Sequence, residues 1–129
     1  MAIVYSSEKK NEYLYLVGEG TEDGLKENQQ IHRMILDLCR EHNRRRVLID
    51  DRNVVYTAST ISIFDLAKYY VEVGVPHCIK RAAVVVNPAY DETNDFFETV
   101  VRNRGVNLRI FYDYEEAEAW LVEEPGRTP

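Results

Sequence analysis

The chain has 129 residues, 45% of them hydrophobic and 29% charged, which is typical of one globular domain with a proper core. Its formal net charge of −6 argues against a nucleic-acid partner, because binding to the phosphate backbone depends on clustered cations. We find no signal segment, no apolar run that could span a bilayer and no metal-binding spacing of cysteines. We therefore expect a reduced, cytoplasmic protein with no cofactor and no transmembrane segment.

The first half of the chain predicts a β-hairpin, a helix and a buried strand. β-forming residues at 2–5 and 13–18 flank a polar stretch, a pattern typical of two antiparallel strands. Apolar residues then recur at intervals of three and four, which predicts a helix with one buried stripe: Ile31, Met34, Ile35, Leu38, Cys39 and His42. The apolar run at 47–49 is typical of a strand that is covered on both faces.

The second half alternates helices with strands. A helix is predicted at about 60–73, and a central strand follows at 82–86. The next helix carries two phenylalanines and two valines at helical spacing and ends at Gly105. After a strand at 108–112, Asp113 opens the last helix as the first residue of a capping box.

The predicted order is β-β-α-β-α-β-α-β-α, in which helical crossovers join parallel strands after an antiparallel N-terminal hairpin. We therefore expect one α/β domain over residues 1–124, with a mixed and mostly parallel sheet, and a frayed tail over 125–129. Ligands of such sheets bind beyond the carboxyl ends of the strands. This places Asp50, Asp51 and the hydroxyl-rich segment 57–62 at the functional edge.

Two adjacent carboxylates, Asp50 and Asp51, follow the third predicted strand, and they suggest either a metal site or polar residues that position a loop. Neighbouring side chains of a strand point to opposite faces, so the two carboxylates need not share a cation. Ser59, Thr60 and Ser62 are possible nucleophiles, but no activating base or nucleophile motif accompanies them. We therefore predict no metal ligands, no catalytic residues and no enzymatic activity.

Four hydroxyl side chains lie where the second helix should begin: Thr57, Ser59, Thr60 and Ser62. Serine and threonine cap helices by accepting hydrogen bonds from free backbone N–H groups, which accounts for one or two of the four. A surplus of hydroxyls at a helix N-terminus is also typical of an anion site or a phosphorylatable loop. Both interpretations stay open from these residues alone.

The chain resembles the STAS domain, the module shared by sulphate-transporter tails and anti-sigma-factor antagonists, from "YLYLVGE" to "EEAEAWL". Gly18–Glu19 matches the family's first strand end, Ile49–Asp50 the next strand end and Val54 the hydrophobic anchor. Residues 58–61 match the helix start, where Ala58 and Ile61 replace the family's Asp and Gly. The ending "FYDYEEAEAWL" is similar to the small STAS-like branch related to CRAL-TRIO lipid-transfer domains.

The resemblance implies a STAS-like sandwich and a non-catalytic regulatory domain that binds a protein partner or forms a homodimer. In the antagonist branch a partner kinase phosphorylates a serine at the helix start, which breaks binding, and this position corresponds to Ser59, with Thr60 beside it. The lipid-transfer relatives imply an alternative function. On that alternative the domain binds a small apolar or anionic ligand, lipid-like or nucleotide-like, at the carboxyl edge of the sheet.

The second predicted helix carries two apolar sets. One set has the spacing needed to cover the sheet: Ile63, Phe64, Ala67, Val71 and Gly74. The other set occupies much of the remaining circumference: Leu66, Tyr69, Tyr70 and Val73. Unless neighbouring helices bury this second set, it is exposed, and exposed apolar patches usually mark interfaces or ligand grooves. We predict that it forms the partner or ligand surface, with Tyr56, Thr57 and Ser62 at its entrance and Asp50 and Asp51 beside it.

Overall fold

The computed structural model describes residues 3–21, 24–55 and 60–123. The elements in these ranges are β1 Val4–Lys9, β2 Leu14–Thr21, α1 Leu25–Glu41, β3 Arg46–Val55, α2 Thr60–Glu72, α3 Val75–Cys78, β4 Arg81–Val85, α4 Asp91–Asn103, β5 Leu108–Phe111 and α5 Tyr114–Val122. A short 3-10 turn at Pro88–Tyr90 precedes α4. None of the helices in the described ranges is long and apolar enough to cross a membrane.

Five strands of the described chain form one sheet in the order β1-β2-β3-β4-β5. β1 pairs antiparallel with β2, and every other neighbouring pair is parallel. This confirms the predicted α/β domain with its N-terminal hairpin. In the described residues two short elements were not predicted, the 3-10 turn before α4 and the helix α3. α3 follows α2 directly because Gly74 turns the chain at a positive φ of 88°.

Helices cover both faces of the sheet. α1, α2 and α4 pack on one face against residues such as Val47 and Ile49, and α5 packs on the other face against Leu48 and Ala83. The alternation follows from strand geometry, since successive side chains point to opposite faces. β3 is therefore buried on both faces, as the uninterrupted apolar run at 47–49 predicts.

Three strands are longer than the sequence predicts, and one of them is β2, which runs to Thr21 instead of ending at residue 18. β1 extends to Lys9, because an edge strand can present polar side chains to solvent along its exposed side. β3 extends to Val55, because β2 continues beside it as far as Thr21. The prediction that Asp50 and Asp51 follow the strand end is therefore wrong: both lie within β3 and are buried.

The buried face of α1 is rotated from the predicted stripe. Met34 is 40% exposed, Leu38 is half-buried and His42 is the residue that ends the helix. The side chains that face the core are Asn28, Ile31, Ile35, Leu36 and Cys39. A polar residue, Asn28, thus lies in the apolar face, which the three-and-four periodicity of apolar residues could not indicate.

The burial pattern of α2 corrects the predicted assignment of its two apolar sets. Leu66 and Tyr70 are only 4% and 3% exposed, so the prediction that they lie on an exposed surface is wrong. α2 packs beside both α1 and α4, and this arrangement buries a wider arc than contact with the sheet alone would. Phe64 and Val71, predicted to cover the sheet, are instead 46% and 44% exposed.

Candidate functional site

Part of the predicted site falls outside the described residues. Tyr56, Thr57 and Ser59 lie there, so their roles stay predictions. Thr60 begins α2 and Ser62 lies in its first turn, which is the position predicted for a helix start. In the sequence, the predicted phosphorylation segment lies between β3, the strand that carries both carboxylates, and the described part of α2.

Asp50 forms an ion pair with Arg52. The Arg52 Nε and Nη2 atoms lie 2.9 and 2.7 Å from the two carboxylate oxygens of Asp50, and the Arg52 backbone N–H also donates to Oδ1. Burial opposes ionisation of Asp50, but the hydrogen bonds and charge of Arg52 outweigh it, so the pKa of Asp50 lies below its usual value. Asp50 is therefore an ionised, paired group and is not poised as an acid or base.

Asp51 is buried on the opposite face of β3, where it lines the space beneath the helices. Its Oδ1 accepts a hydrogen bond of 2.8 Å from the Tyr5 hydroxyl, which reaches it from the edge strand. The Tyr5 ring crosses Gly18: a Cβ placed there would lie 2.5 Å from a ring carbon. The two carboxylates thus point apart, and the described residues contain no group of three His, Cys, Asp or Glu side chains placed to hold a metal ion.

A cavity of about 100 Å³ lies between the sheet and helices α1, α2 and α4. Most of its wall is apolar, with Leu36, Ile49, Ile63, Leu66, Val84 and Phe97 among the lining residues. The polar side chains that line it are Asn28, His32, Asp51, Tyr70 and Asn94. Three residues of the predicted surface, Asp51, Leu66 and Tyr70, therefore meet here, inside the domain rather than on its exterior.

His32 and Tyr70 form a pair in the cavity wall. The His32 Nε2 atom lies 3.0 Å from the Tyr70 hydroxyl oxygen, and the two rings meet edge-on with centroids 4.9 Å apart. Burial lowers the pKa of His32 from 6.5 to about 4. His32 is therefore neutral at physiological pH, and the pair adds polarity to the wall without adding charge.

Asn94, in the first turn of α4, is the unusual polar group of the cavity. The residue is only 6% exposed, and its side-chain Nδ2 has no hydrogen-bond acceptor among the described residues. Buried donors are nearly always paired, because a lost hydrogen bond costs about 1–3 kcal/mol. An unpaired amide in a cavity wall therefore requires an explanation other than packing.

A second apolar feature lies on the outside of α2. We call the exposed residues Phe64, Lys68 and Val71, spaced at four and three along the helix, the outer face of α2. Phe64 also meets Phe96 of α4 edge-on, with ring centroids 5.5 Å apart. Of the predicted surface residues, Tyr69 and Val73 are half-buried and pack against the core cluster.

The sequence did not indicate three polar residues of the cavity: Asn28, His32 and Asn94. Asn28 occupies a position in the helical stripe of α1, three residues before Ile31, and this spacing is the signal that could have identified it. His32 shows no metal-ligand spacing in the sequence, and a hydrogen bond between a histidine and a tyrosine on another helix leaves no spacing pattern that could predict it. Asn94 has no sequence signal, because its lack of a partner depends on the packing of α4.

No family model and no curated protein matches this chain, whereas solved structures do. An anti-sigma factor antagonist from Mycobacterium paratuberculosis superposes with a TM-score of 0.63 at 14% identity, over 95% of this chain and 96% of that one. An uncharacterised DUF3478-family protein with a SpoIIAA-like fold, from Shewanella loihica PV-4, superposes with a TM-score of 0.58 at 17% identity, over 93% and 94%. The protein is thus an α/β domain of the class to which anti-sigma-factor antagonists belong by fold. More specifically its fold is STAS-like, as the sequence resemblance implied.

Proposed function

We propose that this protein is a non-catalytic regulatory domain that acts by binding another protein or a second copy of itself. The observation that carries the proposal is the end-to-end likeness of its fold to that of an anti-sigma factor antagonist. The paired state of Asp50 also supports it, since a carboxylate held by Arg52 is unsuited to acid–base chemistry.

The outer face of α2 is the docking surface that we propose in place of Leu66 and Tyr70. Phe64 and Val71 expose nearly half of their surface on one side of a helix that follows the predicted switch segment. Exposed aromatic and aliphatic side chains are the usual anchors of protein interfaces. Tyr69 and Val73 would contribute their exposed atoms at the edge of this surface.

The proposal is tested by comparing Phe64→Lys with Val4→Lys. Val4 is 64% exposed on the edge strand, so its substitution adds the same charge at an apolar surface site far from α2 in sequence. We expect Phe64→Lys to lose a stoichiometric protein partner in affinity purification, or a homodimer in light scattering, while Val4→Lys keeps it. Equal binding by both variants would show that the outer face of α2 is not the docking surface.

The resemblance also supports a switch at Ser59, with Thr60 as a second acceptor. A phosphate near a helix N-terminus interacts favourably with the helix dipole, so modification should leave the fold intact and act by adding charge beside the docking surface. We expect Ser59→Asp to bind the partner more weakly than Ser59→Ala does, at equal melting temperature. Equal affinities would count against the switch.

The cavity beneath α1, α2 and α4 favours a second function, the binding of a small ligand. Concave, mostly apolar space with a few polar side chains is the usual form of a small-molecule site, and the cavity lies beneath helices that begin at the carboxyl edge of the sheet. A panel of lipids, nucleotides and small neutral compounds tests it by thermal shift, since a ligand that binds only the folded state raises the melting temperature. No shift with any compound would contradict this second function.

A further inference from the structure

The polar residues of the cavity are concentrated toward one end of the sheet. Asn28 and Asn94 lie in the first turns of α1 and α4, the helices that follow β2 and β4, and Asp51 lies in the second half of β3. The opposite end is lined by apolar residues such as Val75, Ile79 and Val106. The cavity therefore has a polar end near the carboxyl edge of the strands and an apolar end away from it.

Hydrogen bonding distinguishes one polar residue from the others. Asp51 accepts from Tyr5, His32 is paired with Tyr70, and Asn28 is also engaged in an interaction. Among the described residues nothing accepts from Asn94 Nδ2, although Asn94 is more than nine-tenths buried. What the polar end lacks is thus a hydrogen-bond acceptor.

The charge of the cavity wall restricts the kind of acceptor. Its described lining residues include a carboxylate, Asp51, but neither lysine nor arginine, and His32 is neutral. A carboxylate or phosphate group would bring a negative charge into a largely apolar space whose described lining holds no cation, which is strongly unfavourable. An ammonium group would bring only donors and leave Asn94 Nδ2 unpaired.

We propose that the cavity binds a compact, uncharged molecule with an apolar body and one acceptor oxygen, such as a ketone, and that Asn94 Nδ2 donates a hydrogen bond to this oxygen. The inference rests on the second proposed function, ligand binding, and narrows it to a neutral ligand. The cavity volume of about 100 Å³ limits the size of the ligand. Because an apolar protein cavity of about 150 Å³ binds benzene, we expect the apolar body of the ligand to be a short branched chain or a small ring.

Three probes of nearly the same shape test the chemistry. Isopropyl methyl ketone carries the acceptor oxygen, isopentane lacks it, and isobutyrate replaces the methyl ketone by a carboxylate. Each is titrated into the full-length, isotope-labelled protein, and NMR follows the backbone amides of the cavity residues and the side-chain amide of Asn94. We expect the ketone to perturb Asn94 and its neighbours, and isobutyrate to bind at least about tenfold more weakly, because of its buried charge.

Two leucine substitutions on α4 isolate the hydrogen bond. Asn94→Leu keeps the size of the side chain but removes the donor, and Asn103→Leu makes the same change at an exposed site of the same helix. We expect Asn94→Leu to weaken the binding of the ketone about five- to tenfold, which corresponds to the loss of one hydrogen bond. The affinity for isopentane should stay the same. Asn103→Leu should change neither affinity.

Each alternative outcome has a distinct meaning. Isobutyrate binding as tightly as the ketone would overturn the neutral ligand class but leave ligand binding intact. Equal effects of Asn94→Leu on the ketone and isopentane would overturn the role of Asn94, as would an unchanged Asn94 side-chain signal in the ketone complex. If no probe perturbs the cavity residues, both the inference and the ligand-binding function fail, while the proposal of a protein partner stands.

Discussion

Acid should destabilise the protein through His32. Burial lowers the pKa of His32 from 6.5 to about 4, so between these values the unfolded chain binds a proton that the folded chain does not. The free energy of unfolding therefore falls as the pH falls through this window. One pKa unit corresponds to about 1.36 kcal/mol. The titration of His32 therefore lowers the free energy of unfolding by about 2 kcal/mol between about pH 7 and about pH 5, and by about 3 kcal/mol by about pH 4.

The assay is urea unfolding of the wild type and of His32→Gln at about pH 7 and about pH 5. Glutamine can still hydrogen-bond Tyr70 but does not titrate, so the variant should lose about 2 kcal/mol less than the wild type over this interval. Tyr70→Phe separates the two possible causes: because burial lowers the pKa, this variant should keep most of the wild-type pH dependence. The same pH dependence in the wild type and in His32→Gln would refute the reasoning.

Three further substitutions test the packing around the site. Gly18→Ala should lower the free energy of unfolding by about 1–3 kcal/mol in urea titration, because its Cβ would lie 2.5 Å from a tyrosine ring carbon; wild-type stability would show that the ring moves aside freely. Leu66→Lys should fail to fold by circular dichroism, whereas Phe64→Lys should fold and lose about 1 kcal/mol with its contact to Phe96; a folded Leu66→Lys would contradict the burial of that helix face. Arg52→Met should cost about 1 kcal/mol at neutral pH, a value kept low by the exposure of Arg52. The stability difference between Arg52→Met and the wild type should decrease below about pH 3.8, because Asp50 becomes protonated there. An unchanged difference at low pH would mean that it does not come from the ion pair.

The sequence predicted the order and type of the main elements because each depends on local patterns. The hairpin, the alternation of helices and strands, and the capping of α5 by Asp113, whose Oδ2 accepts from the Glu116 N–H at 3.3 Å, follow from periodicity and cap chemistry. The length of β3 does not follow from them. Apart from the buried Val54, its last residues are polar or exposed, and they form a strand because β2 lies alongside.

The buried face of α2 also depends on neighbouring elements that local sequence patterns do not show. Two apolar sets share one helix, and which set is buried depends on how many neighbours the helix has, a property of the whole fold. Leu66 and Tyr70 are buried because α1 and α4 lie on either side of α2. The sequence thus predicted the helix and its two apolar sets, but it assigned Leu66 and Tyr70 wrongly to the exterior.

The two adjacent aspartates have separate roles, and the sheet explains why. Asp50 is held by Arg52 on the α5 side, whereas Asp51 lies at the polar end of the cavity on the opposite side. Asp51 is also the point where the hairpin touches the cavity: Tyr5 of the edge strand passes over Gly18 and donates to it. A side chain at Gly18 would collide with the Tyr5 ring and would also lie about 3.0 Å from Asp51 Oδ1. The absence of a side chain at Gly18, within β2, therefore allows the Tyr5 ring to pass close enough for its hydroxyl to reach Asp51 at the polar end of the cavity.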